Sequence, residues 1–448
     1  MNKNLIYIEK HRQLMLDALD YIWKNPETGY KEWKTNAYLT EKFEALGYEL
    51  TQAGNIPGFT ALADTGRPGP TLAIFGELDG LVIPEHPQCD PETGAVHACG
   101  HCAQASALLG IAAALKEPGA LDGLCGKILL VAVPAEELIE FDFRMDLRNK
   151  GIIKYLGGKP EFLYRGLLDG VDLAFMVHTS VDAEHCVACT KGSNGMVGKI
   201  VEFQGVSAHA GGSPHLGVNA LYAANVAFSA INALRETFQD GDHIRVHPIV
   251  TAGGSSVNAI PDKVCLESYI RGATMDAIVA ANEKVNRAIA ASAAAMGAKA
   301  VINDFPGYWP RNYHKTFVDV FADAAKEANL AFKYKETVWS TGCSDMGDIC
   351  SVMPGIHPTA GGAVGTSHGS NYYIADPETA CVDSAKVQYM ALRLLLENDA
   401  ERAKNIIANC KTEFSCKEDY FAYVDKLDMN RQTVYYESDG SIKLTYKN

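Results

Sequence analysis

The stretch Val96-His97-Ala98-Cys99-Gly100-His101-Cys102 crowds two histidines and two cysteines together. Only Gly100 separates Cys99 from His101, and a glycine there lets the backbone turn sharply enough for a thiolate and an imidazole to face one point. The Ala- and Leu-rich run Ala103 to Lys116 reads as a helix. The pair therefore sits at a helix N-terminus, where the dipole favours thiolate over thiol. A thiolate beside an imidazole is ligand chemistry for Zn²⁺ or a similar divalent cation. Taken alone, the same stretch also suits a buried structural role.

Other residues carry chemistry elsewhere. Glu136-Glu137 follows an apolar run and Pro134. Adjacent carboxylates past a strand end point in different directions, so one can bind a metal while the other faces a water. His178 ends another apolar run, and His368 lies in the loop Gly365-Thr366-Ser367-His368-Gly369. His209, in Ser207-Ala208-His209-Ala210-Gly211-Gly212, is hard to explain as a core residue. Singly, these are compatible with a solvated acidic pair, a core histidine and a loop histidine.

The elements that must position them follow a pattern. Leu5 to Trp23 and Asn36 to Leu46 have helical periodicity. Thr71 to Phe75, Lys127 to Val133 and Asp172 to Val177 read as buried strands. They end respectively in Glu77-Leu78-Asp79, in the glutamate pair and in His178. Strands alternating with helices indicate a mostly parallel α/β sheet covered on both faces, and in such sheets ligands bind past the strands' carboxyl ends.

The character changes near Gly192. Gly198 to Gln204, Ile244 to Thr251 and Lys263 to Arg271 read as strands with one wet face, and Gly217 to Arg235 and Ala277 to Met296 as helices. This is an α+β sandwich inserted into the larger domain. The expected organisation is residues 1–192 for the first part of the catalytic domain, 193–305 for the insert, and 306–448 for the second part with the tail. Helices near Thr316 to Asn329 and over Ala380 to Asn398 belong to the second part. The charged, Tyr-rich tail from Lys411 has no functional reading.

Composition narrows the classes. The chain has 448 residues, 47% hydrophobic and 21% charged, as in ordinary globular proteins. A net charge of −14 argues against nucleic acid or anionic membrane as partners. The mixed-charge start lacks an apolar signal region, no apolar run is long enough for a span, and twelve cysteines in so long a chain read as reduced thiols. The expectation is a cytoplasmic protein.

Together the motifs resemble the dinuclear metallohydrolase family that includes aminoacylase, carboxypeptidase G and the auxin-conjugate hydrolases, nearest its aminobenzoyl-glutamate hydrolase branch. The matching stretches are Asn25-Pro26-Glu27-Thr28-Gly29-Tyr30, Gly76-Glu77-Leu78-Asp79, His97 to His101, Pro134 to Glu137 and Val177-His178. Further on they are Gly205 to Ala210, Pro214 to Ala220, Asn258 to Asp262, Ser344 to Gly347 and Gly365 to His368, all in the family's order over about residues 10 to 400.

The resemblance implies two divalent cations per chain, zinc or manganese. It implies Cys99, His101, Glu137, His178 and His368 as ligands with Cys99 bridging, Glu136 as general base, and Asp79 as a carboxylate that orients a ligand. It further implies His209 as an oxyanion donor reaching the partner subunit's site, and Asn258 and Arg271 as holders of the substrate carboxylate. The implied protein is a homodimeric metal-dependent amidohydrolase whose inserted domain serves as lid and dimerisation surface. It would cleave an N-acyl or N-aroyl amino acid, or a small dipeptide, with a metal-activated water. The rival readings are an aliphatic N-acyl amino acid deacylase, a catalytically silent metal-binding scaffold, and an enzyme using Cys99 as covalent nucleophile with His101 as base. Departures from the family are Cys102, where many relatives carry Asp or Asn, Glu77, where distant relatives carry a metal-binding His, and the segment Leu138 to Tyr164, which lacks the Gly-rich run expected after the glutamate pair.

Overall fold

The computed structural model describes residues 3–181 and 187–447. The chain divides into two compact units. The first runs up to Gly192 and resumes over Arg311–Trp339 and Ser344–Lys417, and the second comprises Ser193–Pro310, Ser340–Cys343 and the chain from Glu418 onward.

The first unit is built on a six-stranded sheet in the order Leu50–Gln52, Phe59–Asp64, Lys127–Val133, Thr71–Glu77, Leu173–Phe175, Gly355–Ile356. The last four strands are parallel, and the two at the other edge are antiparallel. The helix His101–Leu115 packs on this sheet with every residue buried, which is why its sequence is apolar all round. At Gly110 it meets the helix Arg12–Lys24 so closely that a Cβ would lie 2.1 Å from the Met15 sulfur. A smaller sheet past the main one pairs His178–Thr179 in parallel with Thr359–Ala360, which pairs in turn with Val187–Ser193 and so leads to Arg311–Asn312.

The second unit is an antiparallel sheet in the order Arg245–Val246, Lys263–Gly272, Gly195–Gln204, Lys299–Pro306, Met429–Gln432, with Ile249–Ala252 also pairing to Lys263–Gly272. The helices Ala220–Ala233 and Met275–Ala295 pack on it, and along Lys263–Gly272 burial alternates residue by residue, the mark of a sheet with one covered face.

The structure departs from the sequence reading at particular places. The tail, assigned above to the first domain, enters the second unit, because Met429–Gln432 pairs with Val301–Asp304. The expected strand Ile244 to Thr251 is two strands separated at His247-Pro248, where proline has no N–H for the ladder. The first helix is interrupted at Lys10-His11, and the late helix opens with a π-turn over Glu378–Asp383 before Ser384–Leu396. The strands Phe59–Asp64 and Phe332–Ser340 carry no strong period and escape the sequence reading. Among the described residues every cysteine is a free thiol, and no helix is long and apolar enough to cross a membrane.

Candidate metal centre

The Cys-Gly-His turn forms because Gly100 adopts φ 89° as the residue capping His101–Leu115. A Cβ there would lie 2.5 Å from the Tyr372 hydroxyl and 2.7 Å from Thr179 Cβ, so no other residue fits. Cys99 Sγ then lies 3.3 Å from His178 Nε2. His101 places Nδ1 2.9 Å from the Asp79 carbonyl and 3.1 Å from Asp79 Oδ1. Both are acceptors, so Nδ1 carries a proton and Nε2 is the nitrogen left to face a cation. The same logic applies to His178, whose Nδ1 is 2.6 Å from the Thr179 carbonyl.

The glutamate pair diverges because Ala135 takes a left-handed conformation (φ 58°) just past the strand Lys127–Val133. Glu136 Oε2 is 3.9 Å from His101 Nε2, while Glu137 Oε1 is 3.2 Å from His368 Nε2. Ala135 N–H is held by Glu32 at 2.8 Å, and Glu137 N–H by Asp79 Oδ2 at 2.8 Å. The segment after the pair folds as the helix Phe141–Asn149. Its fully buried Arg144 donates to the carbonyls of Ala135, Leu156 and Glu137. The glycines missing directly after the pair come later, as Gly157-Gly158, and a Cβ on Gly158 would lie 1.6 Å from the Pro134 carbonyl oxygen. His368 reaches the cluster from a loop at φ 62°, its N–H bonded to the Ala98 carbonyl.

Donor atoms of Cys99, His101 and His178 lie within 4.8 Å of one another, and so do those of Cys99, Glu137 and His368. Cys99 belongs to both trios. Two donors on one cation, at about 2.0–2.3 Å each, can be at most about 4.6 Å apart, and the 3.3 Å between Cys99 and His178 and the 3.2 Å between Glu137 and His368 fall inside that limit. Among the described residues buried His101 Nε2 and Glu137 Oε1 make no hydrogen bond; Nε2 faces Glu77 Oε2 at 3.2 Å and Oε1 faces His368 Nε2 at 3.2 Å. Lone pairs facing one another in this way are what a cation reconciles, and the donor set fits two divalent ions.

The electrostatics reflect the crowding. Burial and the Glu137 charge push the Cys99 thiol up, but the His101 and His178 rings outweigh them and leave it at about 6. Glu137 falls to about 2 because His368 offsets its burial. His368 is raised to about 11, chiefly by Glu137. Glu136 is pushed well up by burial, Glu77 and Glu137.

Sequence reasoning missed a second cluster behind Glu136. Lys159 Nζ lies 2.5 Å from both Glu77 Oε1 and Asp345 Oδ1, and its N–H donates to Asp345 Oδ2 at 2.9 Å. All three side chains are fully buried. Glu77, Glu136 and Asp345 also come within 4.8 Å of one another, but an ammonium already sits among them. The motif around Ser344-Asp345 held a signal for Asp345; nothing local pointed to Lys159. Also missed was the pair Arg311 and His357, where Arg311 Nη1 donates to His357 Nδ1 at 2.6 Å and the His357 ring centre lies 5.5 Å from that of His178. Burial, then Arg311, keep His357 neutral by pushing its pKa well down.

His209, Asn258 and Arg271 lie in the second unit, the remaining candidates in the first. His209 is on an exposed loop bridged to Ala259, and its Nδ1 accepts from Gly211 and Gly212 N–H at 3.2 and 2.9 Å, which leaves the proton on Nε2. The Asn258 carbonyl accepts from Ala210 N–H. Arg271 stacks over the Tyr269 ring at 4.9 Å and stands opposite Arg245 across the strand pair.

A parallel-sheet unit with such a cluster past its strand ends is the architecture of a metallohydrolase. Residues 71–394 match Peptidase family M20/M25/M40, and the chain belongs to that family. It is a metal-dependent peptidase or amidohydrolase acting on amide bonds. It is 28% identical over 356 residues to the Xaa-Arg dipeptidase of Mus musculus, covering 75% of this chain and 74% of that one. It is 29% identical over 276 residues to a p-aminobenzoyl-glutamate hydrolase polypeptide of Escherichia coli, covering 60% and 53%. Its fold resembles that of a dinuclear metal binding peptidase of Bacillus subtilis, with TM-score 0.63 at 21% identity over 86% of this chain and 99% of the other.

Proposed function

We propose that the chain hydrolyses the amide bond of an N-acyl or N-aroyl amino acid of the aminobenzoyl-glutamate kind, or of a small dipeptide. Two divalent cations, zinc or manganese, would be held by Cys99, His101, Glu137, His178 and His368. The observation that carries this reading is that Cys99 belongs to two donor trios at once. Bound there, the cations would lower the pKa of a water and polarise the scissile carbonyl.

The chain's own residues do the rest. Glu136 lies outside both Cys99 trios, and its raised proton affinity lets it take a proton from the attacking water and pass it to the leaving nitrogen. Asp79 holds the proton of His101 on Nδ1 and so keeps Nε2 free to coordinate. His209 presents Nε2–H as the oxyanion donor. Asn258 and Arg271 hold the substrate carboxylate, Arg271 through its planar fork. Like charges directly opposite in a strand pair are unfavourable, so Arg245 beside Arg271 favours an anionic amino-acid end over an arginine end. Exposed Leu216, Tyr222, Ile249, Val250 and Val257 on the second unit support a homodimer, and the free thiols support a reducing, cytoplasmic setting.

The test varies acyl group and amino acid separately on metal-loaded protein. Cleavage of N-benzoyl-glutamate ahead of aliphatic acyl and arginine-terminated substrates is expected; no amide hydrolysis anywhere in the panel sinks the proposal. Activity surviving complete chelation would instead favour Cys99 as nucleophile. For the dimer, inactive Glu136→Gln and His209→Ala chains are mixed and allowed to exchange. Recovered activity is expected, because one site of each mixed dimer has both groups; confirmed mixed dimers without activity would place His209 in its own chain's site or in none.

A further inference from the structure

His357 is a buried imidazole that the mechanism above does not use. It lies between the strands Gly355–Ile356 and Thr359–Ala360, past the carboxyl end of the main sheet's last strand. The parallel register Thr359↔His178, with His178 N–H bonded to the Pro358 carbonyl at 2.9 Å, fixes it beside His178. The two rings are 5.5 Å apart at 51°.

Arg311 settles which nitrogen carries the proton. A guanidinium only donates, so its 2.6 Å bond makes His357 Nδ1 the acceptor and leaves the proton on Nε2. The residue is 9% exposed, and Nε2 has no hydrogen-bond partner among the described residues. A buried donor without a partner opposes folding, and one held in a fixed tautomer beside a candidate metal ligand is placed for a ligand's oxygen.

We propose that His357 Nε2–H donates to the scissile carbonyl oxygen as that oxygen becomes negative. The assignment rests on the amide-hydrolysis reading above. Two features single out this oxygen. His178 belongs to the donor cluster, so a group beside it faces the reacting end of the substrate and not its distant carboxylate. The Arg311 charge, bonded to the far side of the same ring, strengthens the Nε2–H dipole towards negative charge while the proton stays on the ring. The interaction therefore grows as the reaction proceeds, which is the condition for lowering a barrier.

The experiment uses the metal-loaded full chain. His357→Asn keeps an acceptor for Arg311 and removes the donor; His357→Gln reaches the Nε2 position with an N–H. With N-benzoyl-glutamate, His357→Asn should lower kcat about 10²–10³-fold with KM and metal content unchanged, and His357→Gln should recover part of it. Inorganic phosphate, a tetrahedral anion that needs no acyl specificity, should bind His357→Asn about tenfold or more weakly by calorimetry. Unchanged kcat and phosphate affinity would overturn the proposal. So would loss of metal along with activity, which would make His357 a prop for His178, or a raised KM with kcat intact. If the wild-type chain cleaves no N-benzoyl-glutamate, the substrate reading fails and phosphate binding alone decides on His357. On the unmutated protein with ¹⁵N-histidine, the His357 Nε2–H resonance should shift on adding phosphate; an unmoved resonance overturns the proposal whether or not the variants fold.

Discussion

Two charged clusters adjoin in the first unit, and they are neutralised in opposite ways. Around Lys159, the acids Glu77 and Asp345 share an ammonium supplied by the chain. Around Cys99, a thiolate, a carboxylate and three imidazole rings converge with no fixed cation among them. The first cluster is complete as folded, and the second needs charge from outside. Burying acids is tolerable when a counter-charge is covalently present. The second is held by protons when no metal is bound, so its stability depends on both pH and metal concentration. Glu136 stands at the border, buried and repelled by the carboxylates of Glu77 on one side and Glu137 on the other.

The largest expected effect is at that border. Glu136→Gln should cut turnover roughly 10²–10⁴-fold while elemental analysis still finds the wild-type metal content. Glu137→Gln, one residue on, should lose metal as well as activity. Reversed phenotypes would swap the roles of the two glutamates and with them the line between the clusters.

Lys159→Met tests the self-sufficient side. Removing one partner from a buried ionic group typically costs about 3–5 kcal/mol, and urea unfolding should show a loss of that order whether or not metal is added. Adding Glu77→Gln and Asp345→Asn should restore part of it, since the orphaned charges go too. A Lys159→Met chain as stable as wild type would mean that the acids are already protonated and the contrast is false.

The smallest effect is a pH dependence of the metal-free protein. Cys99 at about 6, below its ordinary 9.0, is a thiolate across pH 6–9 in the folded chain and a thiol in the unfolded one. Its contribution to stability therefore rises with pH over that window. His368, raised from 6.5 to about 11, loses its contribution as pH climbs above 6.5, which opposes the thiolate. Stability is a blunt probe here, and alkylation of Cys99 is a sharper one. Its rate should reach half-maximum near pH 6, and metal should suppress it. A midpoint near 9 would remove the thiolate from the comparison.

How much could be read beforehand follows the same division. Cys99, His101, Glu136 and Glu137 were legible because their chemistry lies within short motifs after strands, and the strand Lys127–Val133 was found to the residue. Lys159 was not, because its partners are 82 and 186 positions away and it sits in an ordinary-looking run. Nothing local points to His357 either, because Arg311, which donates to its Nδ1, stands 46 positions earlier. Local patterns disclose groups that await a ligand, whereas groups completed by distant parts of the chain become visible only when the sheet brings them together. The tail shows the same limit: nothing in its composition announces that Met429–Gln432 will pair with Lys299–Pro306.

That last pairing decides which strand forms one rim of the second unit's sheet. With the tail in place the rim is the four-residue Met429–Gln432; without it the rim would be the eight-residue Lys299–Pro306. A long uncovered edge is a template for pairing with another chain, and a short one offers little to pair with. Removal of the chain from Glu418 onward should therefore raise the mass seen by light scattering; an unchanged mass would mean that something other than the tail guards the rim.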